Sequence, residues 1–414
     1  MQSVARAVEN LAGGPQELRV ARNAAYRGIA VLAHLARAAV TMPLITRTLG
    51  AHDYGLWGVS MMVFALLNSL PTTGMLSVLV RECARMPQCE SSVIRAGTRL
   101  RTWCSLLCIP AAGLLGLAFA GPKAAAVSSI LALGMSIEAV ATPGIILSVR
   151  LRDDRTAIAQ MASSLTFLVG TVCLVALDLG LFSFALLFVV HVLVKALLCM
   201  HFARPLRRPR AEGEYSAWFL GRQALPVIVI TLITVAHLQL DVAIVSHVLG
   251  PAGAAILVAS SSLAYMPMLL LGALTESMMP VLAAGSPHRA VRFTLCMIRL
   301  SALLGLLVTV GCAVAAPYAA NLFGPGFEDV AVILPILGLR VALYCISGPF
   351  GTCLIATQRQ NLYMWCTIVV TSGALAACWI VTPIYGIRGA AWAAVLSEIP
   401  KGLLLASLAF RKTE

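Results

Sequence analysis

Long runs of apolar residues recur along the whole chain and are separated by short polar segments. Most runs hold about 20 residues, which is the length of helix that crosses the hydrocarbon core of a bilayer. Helix tilt or kinks accommodate the longer runs. We number the predicted spans in chain order: 24–47, 56–80, 102–121, 124–149, 159–177, 182–202, 223–248, 254–283, 293–316, 330–356, 363–381 and 389–408. The pattern therefore predicts an all-α polytopic membrane protein with about twelve transmembrane helices.

Positive charge alternates from one loop to the next. One class of loop is rich in basic residues: Arg6, Arg19, Arg22, Arg81, Arg85, Arg95, Arg99, Arg101, Arg150, Arg152, Arg155, Arg204, Arg207, Arg208, Arg210, Arg289, Arg292, Arg359, Arg411 and Lys412. The opposite class carries only Lys123 and Arg388, with Arg47 at a helix end. Because cytoplasmic loops retain Lys and Arg, the rich class is predicted to be cytoplasmic. An even number of spans then places both termini in the cytoplasm.

The composition excludes an ordinary soluble protein. Hydrophobic residues make up 60% of the chain, charged residues make up 11%, and the mean hydropathy is +0.91. An average soluble domain carries about 25% charged residues. The net charge of +13 would suggest nucleic-acid binding in a soluble protein. Here the charge lies in short loops between spans, so nucleic acid is not an expected partner.

The most polar internal segment begins at Arg204 and follows six spans, so it predicts a boundary between two halves. The predicted organisation is a cytoplasmic segment at 1–22, a six-helix bundle at 23–203, a cytoplasmic linker at 204–219, a second six-helix bundle at 220–410 and a cytoplasmic tail at 411–414. Residues 1–22 lack the apolar core of a signal peptide.

The two halves resemble each other in sequence. Leu49-Gly50 ends span 1 and Leu249-Gly250 ends span 7. At this offset of 200 residues, three polar positions of span 1 align with three of span 7: His34, Arg37 and Thr41 with Thr234, His237 and Asp241. Since each half has an even number of spans, both enter the membrane in the same direction. We therefore predict parallel repeats about an axis along the membrane normal.

Sequence motifs of common enzymes are absent. The chain has no Gly-x-x-x-x-Gly-Lys loop, no Gly-x-Ser-x-Gly elbow and no His-Glu-x-x-His motif. Its twelve cysteines form no Cys-x-x-Cys pair and lie mostly in apolar runs, as small buried hydrophobic residues do. We therefore expect neither a catalytic residue nor a metal or other cofactor.

Arg37 lies near the middle of span 1, with His34 and Thr41 on the same helical face. A charged side chain in hydrocarbon costs roughly 2.5–3.5 kcal/mol, so it usually faces the protein interior or a wet cavity. Arg37 either donates to backbone carbonyls or contacts an anion in a cavity, and we expect the anion contact. Arg340 near the middle of span 10 has the same alternatives. The predicted substrate-binding residues are His34, Arg37, Thr41 and Arg340.

Carboxylates within the spans are candidates for ion coupling. Asp241 and His237 are predicted to pair at i, i+4 in span 7. Asp241 either binds a coupling cation or proton, or it only neutralises an arginine. Glu138 in span 4 is a third candidate for ion coupling. Pairing between helices is the expected role of the other charges in apolar runs, namely Glu276, Glu398 and Arg299, and it is also the favoured alternative for Glu138.

Four short motifs, in order along the chain, resemble bacterial polysaccharide repeat-unit flippases of the Wzx type. Residues 44–57 (LITRTLGAHDYGLW) resemble the "plltr-LG-x-x-x-yG-lw" opening of that family. Asp241 followed by Leu249-Gly250 resembles the start of its second half. Residues 322–327 (LFGPGF) resemble its outer loop, and residues 386–393 (GIRGAAWA) resemble the start of its last helix. The chain departs from the family at Ala254-Ala255, where relatives often have tyrosine.

The resemblance implies the fold of the multidrug/oligosaccharidyl-lipid/polysaccharide (MOP) exporters, which is two six-helix bundles around a central cavity. It also implies that the chain flips an undecaprenyl-pyrophosphate-linked oligosaccharide across the bacterial cytoplasmic membrane by alternating access. The expected partners are this substrate, membrane lipids, a polysaccharide polymerase with chain-length machinery, and H⁺ or Na⁺ as a coupling ion.

Two other functions stay open at this stage. A cation-coupled multidrug exporter of the same superfamily should have an acidic and aromatic cavity to hold organic cations. Arg37 and Arg340 argue against such a cavity. A membrane polysaccharide polymerase or ligase should have a sizeable outer loop with catalytic groups. The longest outer loop here, at about 317–329, contains neither Arg nor His.

The charge alternation makes a testable prediction of topology. Reporter fusions at Arg95, Arg152 and Arg208 should report a cytoplasmic location, and fusions at Asp53, Lys123 and Gly326 should report an external one. One inverted loop would contradict the model of twelve spans.

Overall fold

The computed structural model describes residues 15–206, 215–268, 287–357 and 359–410, and within these ranges the regular secondary structure is entirely helical. The long helices are Pro15–Asn68, Glu90–Ala120, Pro122–Val140, Asp153–Ala176, Leu181–Ala203, Ala217–Tyr265, Pro287–Phe323, Val330–Ala356 and Gln360–Phe410. The shorter ones are Ser69–Thr73, Gly74–Arg85, Thr142–Ile145, Ile146–Val149 and Arg204–Leu206. Several predicted features lie outside the described residues, namely 1–14, most of the linker, the second half of span 8 with Glu276, and the tail.

The helices agree with the predicted number of spans. Nine helices of the described ranges are long and apolar enough to cross a membrane. Three of them are bent at a glycine, at Gly50, Gly250 and Gly386, and each therefore supplies two segments. Counting the two sides of each bend separately gives twelve segments. The prediction of an all-α membrane protein is confirmed.

The bends at Gly50 and Gly250 have nearly the same backbone conformation, 200 residues apart. Their φ and ψ angles are 68° and 174° in Gly50, and 79° and 176° in Gly250. A positive φ strains any residue with a Cβ, which is why glycine occupies both bends. Gly121 and Gly324 form a second pair with positive φ, 203 residues apart. The backbone thus repeats where the sequence predicted a repeat.

Two compact units are present. The first contains Met1–Thr48, Val63–Leu115 and Ala125–Thr231, and the second contains Leu49–Met62, Gly116–Ala124 and Leu232–Glu414. Two short segments from the first half of the sequence thus pack with the second unit. In that unit Gly55 lies directly against the backbone of Pro251, and Ser60 Oγ donates to the carbonyl of Ala124 over 3.3 Å. The bundle boundaries 23–203 and 220–410 stay predictions.

In the first unit, two helix interruptions meet at one buried arginine. A π-turn at Ser69–Thr73 and a 3-10 turn at Thr142–Ile145 each contain a proline, which cannot donate the usual helical hydrogen bond. Arg101 donates to the carbonyl of Pro71 over 2.6 Å and to Thr142 Oγ1 over 2.7 Å. The prediction that Arg101 lies in a loop was therefore wrong: Arg101 is buried within helix Glu90–Ala120 and bonds to both interruptions.

Many large apolar side chains lie on the outer surface of the helices. Trp218 is 82% exposed, Trp103 is 70% exposed, and Tyr318 and Tyr385 are also exposed. Tryptophan and tyrosine are enriched where a membrane meets water. A surface of this kind needs lipid around it, as the composition predicted.

Because Gly55 contacts Pro251, we expect that one methyl group added at residue 55 lowers the stability of the protein. In Gly55→Ala the new Cβ would overlap a backbone carbonyl, which cannot move aside as a flexible side chain can. The free energy of unfolding should fall by about 1–3 kcal/mol, measured as a lower thermal midpoint of the purified protein. Gly311→Ala is the matched control, because no heavy atom lies within 4 Å of its added Cβ. Equal midpoints for the two variants would contradict the packing.

Candidate functional site

Arg37 in the first unit is a cation for which the described part of the chain offers no acidic partner. Its terminal NH2 nitrogen lies 3.4 Å from His34 Nδ1, and its guanidinium lies over the ring of Phe167, 4.6 Å from the centroid. Its Nε is buried and has no hydrogen-bond partner. Among the described residues no carboxylate lies within ion-pair distance of Arg37. An aromatic face stabilises such a cation by about 0.5–2 kcal/mol, but it supplies no negative charge.

Other polar groups of the first unit continue this cluster. His191 of span 6 packs edge-on against Phe167, with ring centroids 5.5 Å apart, and its Nδ1 lies 2.9 Å from the carbonyl oxygen of Ser163. Lys195, one helical turn beyond His191, pairs with Glu138 of span 4 at 3.3 Å. We call His34, Arg37, Phe167, His191, Lys195 and Glu138 the basic cluster. Its two full positive charges exceed its single negative one.

The structure brings together part of the predicted substrate-binding set. His34 and Arg37 touch, while Thr41 is buried one turn further along span 1. Their location in a central cavity stays a prediction. Phe167, His191 and Lys195 were missed, because each lies in an apolar run with no adjacent motif. A lysine inside span 6 is the signal that could have found this part of the site.

Arg340 is fully buried in the second unit and has protein partners at both terminal nitrogens. Its NH1 lies 2.8 Å from Asp241 Oδ2 and 2.6 Å from the Tyr265 hydroxyl. Its NH2 donates to the carbonyl of His237 over 2.6 Å. This arrangement matches the alternative in which Asp241 neutralises an arginine. A direct contact between Arg340 and substrate stays a prediction, and both terminal nitrogens already have partners here.

Glu398 of span 12 connects the same network to a histidine and a lysine. Its Oε1 lies 2.8 Å from His237 Nε2 and 3.8 Å from Arg340 Nε. Its Oε2 accepts from Lys401 Nζ over 3.0 Å, and Lys401 also lies over the ring of Tyr344, 4.4 Å from the centroid. We call Asp241, His237, Tyr265, Arg340, Tyr344, Glu398 and Lys401 the balanced network. Two carboxylates face two permanent cations, as buried ion pairs require.

The predicted pair of His237 with Asp241 is not formed. His237 Nε2 forms a hydrogen bond with Glu398 instead. The Asp241 carboxylate accepts hydrogen bonds from Arg340 and from the backbone N–H of Val242. Each residue therefore pairs with a side chain of another helix, Arg340 of span 10 or Glu398 of span 12, and not with its neighbour on span 7. Helix pairing was the expected role of Glu398, and the structure confirms it. Lys401 was missed, although a Glu-x-x-Lys spacing inside an apolar run signals a buried pair.

The two clusters occupy equivalent positions of the repeat. Arg37 and His237 are 200 residues apart, as are the bends Gly50 and Gly250. Glu138 and Arg340 are 202 apart, and Lys195 and Lys401 are 206 apart. Spans 1, 4 and 6 therefore carry these polar side chains in the first half, and spans 7, 10 and 12 carry them in the second. The positions correspond, but only the second set is balanced in charge.

Comparison with known proteins adds a sequence family. A model of the family described as polysaccharide biosynthesis protein matches residues 44–332. No curated protein is significantly similar to the chain.

Solved structures of transporters share the fold at low sequence identity. An inward-facing multidrug resistance MATE family transporter of the MOP superfamily has a TM-score of 0.76 and 15% identity, covering 92% of this chain and 97% of that one. A MOP superfamily transporter from Pyrococcus furiosus, described as having a binding pocket of reverse polarity, has a TM-score of 0.69 and 16% identity over 97% and 96%. A Vibrio cholerae MATE transporter has a TM-score of 0.67 and 15% identity over 94% and 95%. The predicted fold class is confirmed.

The two clusters differ in charge balance. Replacement of Lys401 and of Lys195 should therefore lower the free energy of unfolding by different amounts. Lys401→Met leaves a fully buried carboxylate one cation short, so the free energy of unfolding should fall by roughly 3–5 kcal/mol. Lys195→Met breaks a pair whose side chains are 35% and 21% exposed, which should cost at most about 1 kcal/mol. Thermal denaturation of the purified variants measures both. A smaller loss in Lys401→Met than in Lys195→Met would contradict the assignment.

Proposed function

We propose a function from two premises: this chain belongs to the polysaccharide biosynthesis protein family, and it has the fold of the MATE transporters. It is a membrane transporter of the MOP superfamily. Within that class, the proposed substrate is an undecaprenyl-pyrophosphate-linked oligosaccharide. The chain would move it from the inner to the outer leaflet of the bacterial cytoplasmic membrane by alternating access, with both termini in the cytoplasm.

The observation that carries this proposal is the basic cluster around Arg37. A pyrophosphate offers several negatively charged oxygens, and a guanidinium binds such oxygens bidentately. Arg37 has no acidic partner among the described residues, so an anionic substrate would supply the charge that the protein does not. His34, beside Arg37, and Lys195, which has Glu138 as its partner, would complete the contacts.

The two rival functions fit this cluster less well. A cavity for organic cations should present carboxylates and aromatic faces, whereas the aromatic face of Phe167 is already occupied by Arg37. The family and the fold favour transport over catalysis by a polysaccharide polymerase or ligase. Those enzymes fit better as partners that use the flipped product.

Two forces would drive the outward movement. An inside-negative membrane potential favours export of an anion by about 2.3 kcal/mol per charge per 100 mV. Exchange against H⁺ or Na⁺ would add to this, with Asp241, His237 and Glu138 as the proposed coupling groups. Asp241 and His237 belong to the balanced network, in which one added cation would change the partners of both carboxylates.

Substitution of Arg37 tests the proposal. Arg37→Ala should lower export of surface polysaccharide about tenfold or more, because a charge-assisted contact is worth roughly 1.5–3 kcal/mol. Its abundance in the membrane should stay near normal, since Arg37 makes no ion pair. Arg37→Lys should keep partial activity, because the charge stays and the bidentate fork is lost.

Arg340→Ala provides the contrast, measured in the same cells that depend on this chain for export. It removes a cation from a buried network, so its abundance in the membrane should fall. Normal export by Arg37→Ala would contradict the proposed anion site. A parallel loss of abundance and export in Arg37→Ala would show that Arg37 is structural.

A further inference from the structure

The equivalent lysines of the two halves are held very differently. Lys401 is buried, and its partner Glu398 is fully enclosed and also faces His237 and Arg340. Among the residues that the structure describes, Lys195 pairs with one carboxylate, that of Glu138, at 3.3 Å. The Lys195 and Glu138 side chains are 35% and 21% exposed, against 4% and 0% for Lys401 and Glu398. Lys195 is therefore the lysine that another anion could reach.

Lys195 belongs to the same cluster as the unpaired Arg37. It lies one helical turn beyond His191, whose ring packs on Phe167, and Phe167 carries the guanidinium of Arg37 on its face. His34 contacts Arg37 on the same side of this chain of contacts, with its Nδ1 3.4 Å from the Arg37 NH2 nitrogen. An anion held at Arg37 would therefore be close enough to attract the Lys195 ammonium.

We propose that Glu138 is an internal stand-in for the substrate anion and that the pyrophosphate displaces it from Lys195. The inference rests on the proposed function and adds the role of Glu138 in substrate binding. In the empty protein Glu138 holds Lys195 in place and lowers the cost of a second cation in the bundle. When the substrate arrives, its phosphate oxygens take the ammonium and the Glu138 carboxylate is released. When the substrate leaves, Glu138 takes Lys195 back.

The proposed exchange of ion pairs predicts the direction in which loss of the Glu138 charge changes the affinity for the anion. A purely structural ion pair does not predict the same direction. If Glu138 competes with the substrate, neutralising it should strengthen anion binding. If the pair only supports the fold, neutralising it should leave binding unchanged or weaken it. Lys195 should act in the opposite direction, because its loss removes a contact with the substrate.

The test uses the purified full chain in detergent and measures binding of geranylgeranyl pyrophosphate, with geranylgeraniol as the uncharged comparison. Glu138→Gln should bind the pyrophosphate about fivefold more tightly, as expected for release of a partly exposed ion pair. Lys195→Gln should bind it more weakly. In the Lys195→Gln background, Glu138→Gln should have no further effect, because the competitor then has nothing to compete for.

Asp154→Asn is the matched control. It also removes one carboxylate from the first unit, but Asp154 pairs with Arg152 and Arg155 outside the basic cluster. Binding by this variant should equal wild type. If Glu138→Gln fails to fold, Glu138→Asp replaces it, because the shorter side chain withdraws the carboxylate and changes affinity in the same direction.

The outcomes separate this inference from the proposed function. If the wild type binds the pyrophosphate no better than the alcohol, the proposed anion site itself fails. If the wild type discriminates between them and Glu138→Gln binds with unchanged or lower affinity, the stand-in role of Glu138 is wrong. Equal effects of Glu138→Gln with and without Lys195 would also overturn it.

Discussion

A charged side chain in a transmembrane helix must find its partner within the protein, because hydrocarbon offers none. The balanced network obeys this constraint in full: Arg340 and Lys401 face Asp241 and Glu398, and all four are buried. The basic cluster obeys it only in part. Lys195 has a carboxylate partner, and Arg37 rests on an aromatic ring. Arg37 has no carboxylate partner among the described residues, and its buried Nε has no acceptor, so on the proposed function it is the position most suited to a transported anion.

The repeat explains how one architecture holds both arrangements. Bends at Gly50 and Gly250 share a positive φ that glycine adopts without strain, so the two halves begin with the same geometry. Side chains at equivalent depths then differ in charge. The first cluster has two cations and one carboxylate, whereas the second has two cations and two carboxylates. The backbone sets where charges can lie, and a few substitutions decide whether a cluster is balanced.

The helical spans could be predicted from the sequence, because each apolar run is its own signal for a span. The sites were predictable only within single helices. His34 and Arg37 are three residues apart, so helical periodicity placed them together. Glu398 and Arg340 come from spans 12 and 10, and no spacing along the chain encodes the distance between two spans. The same limit made the His237–Asp241 pair wrong and placed the buried Arg101 in a loop.

These two arrangements suit two different tasks in the proposed cycle. A balanced network has its partners inside the protein with or without substrate, and on this proposal only a coupling ion would change them. The basic cluster lacks one partner when it is empty. On this proposal Arg37 gains an anion only when substrate is present, and Lys195 exchanges one carboxylate for a phosphate. Binding therefore removes an electrostatic penalty that the empty protein carries, and substrates without an anionic group cannot remove it. Selectivity for a phosphate-bearing lipid would then follow from the missing partner as much as from any contact that the protein makes.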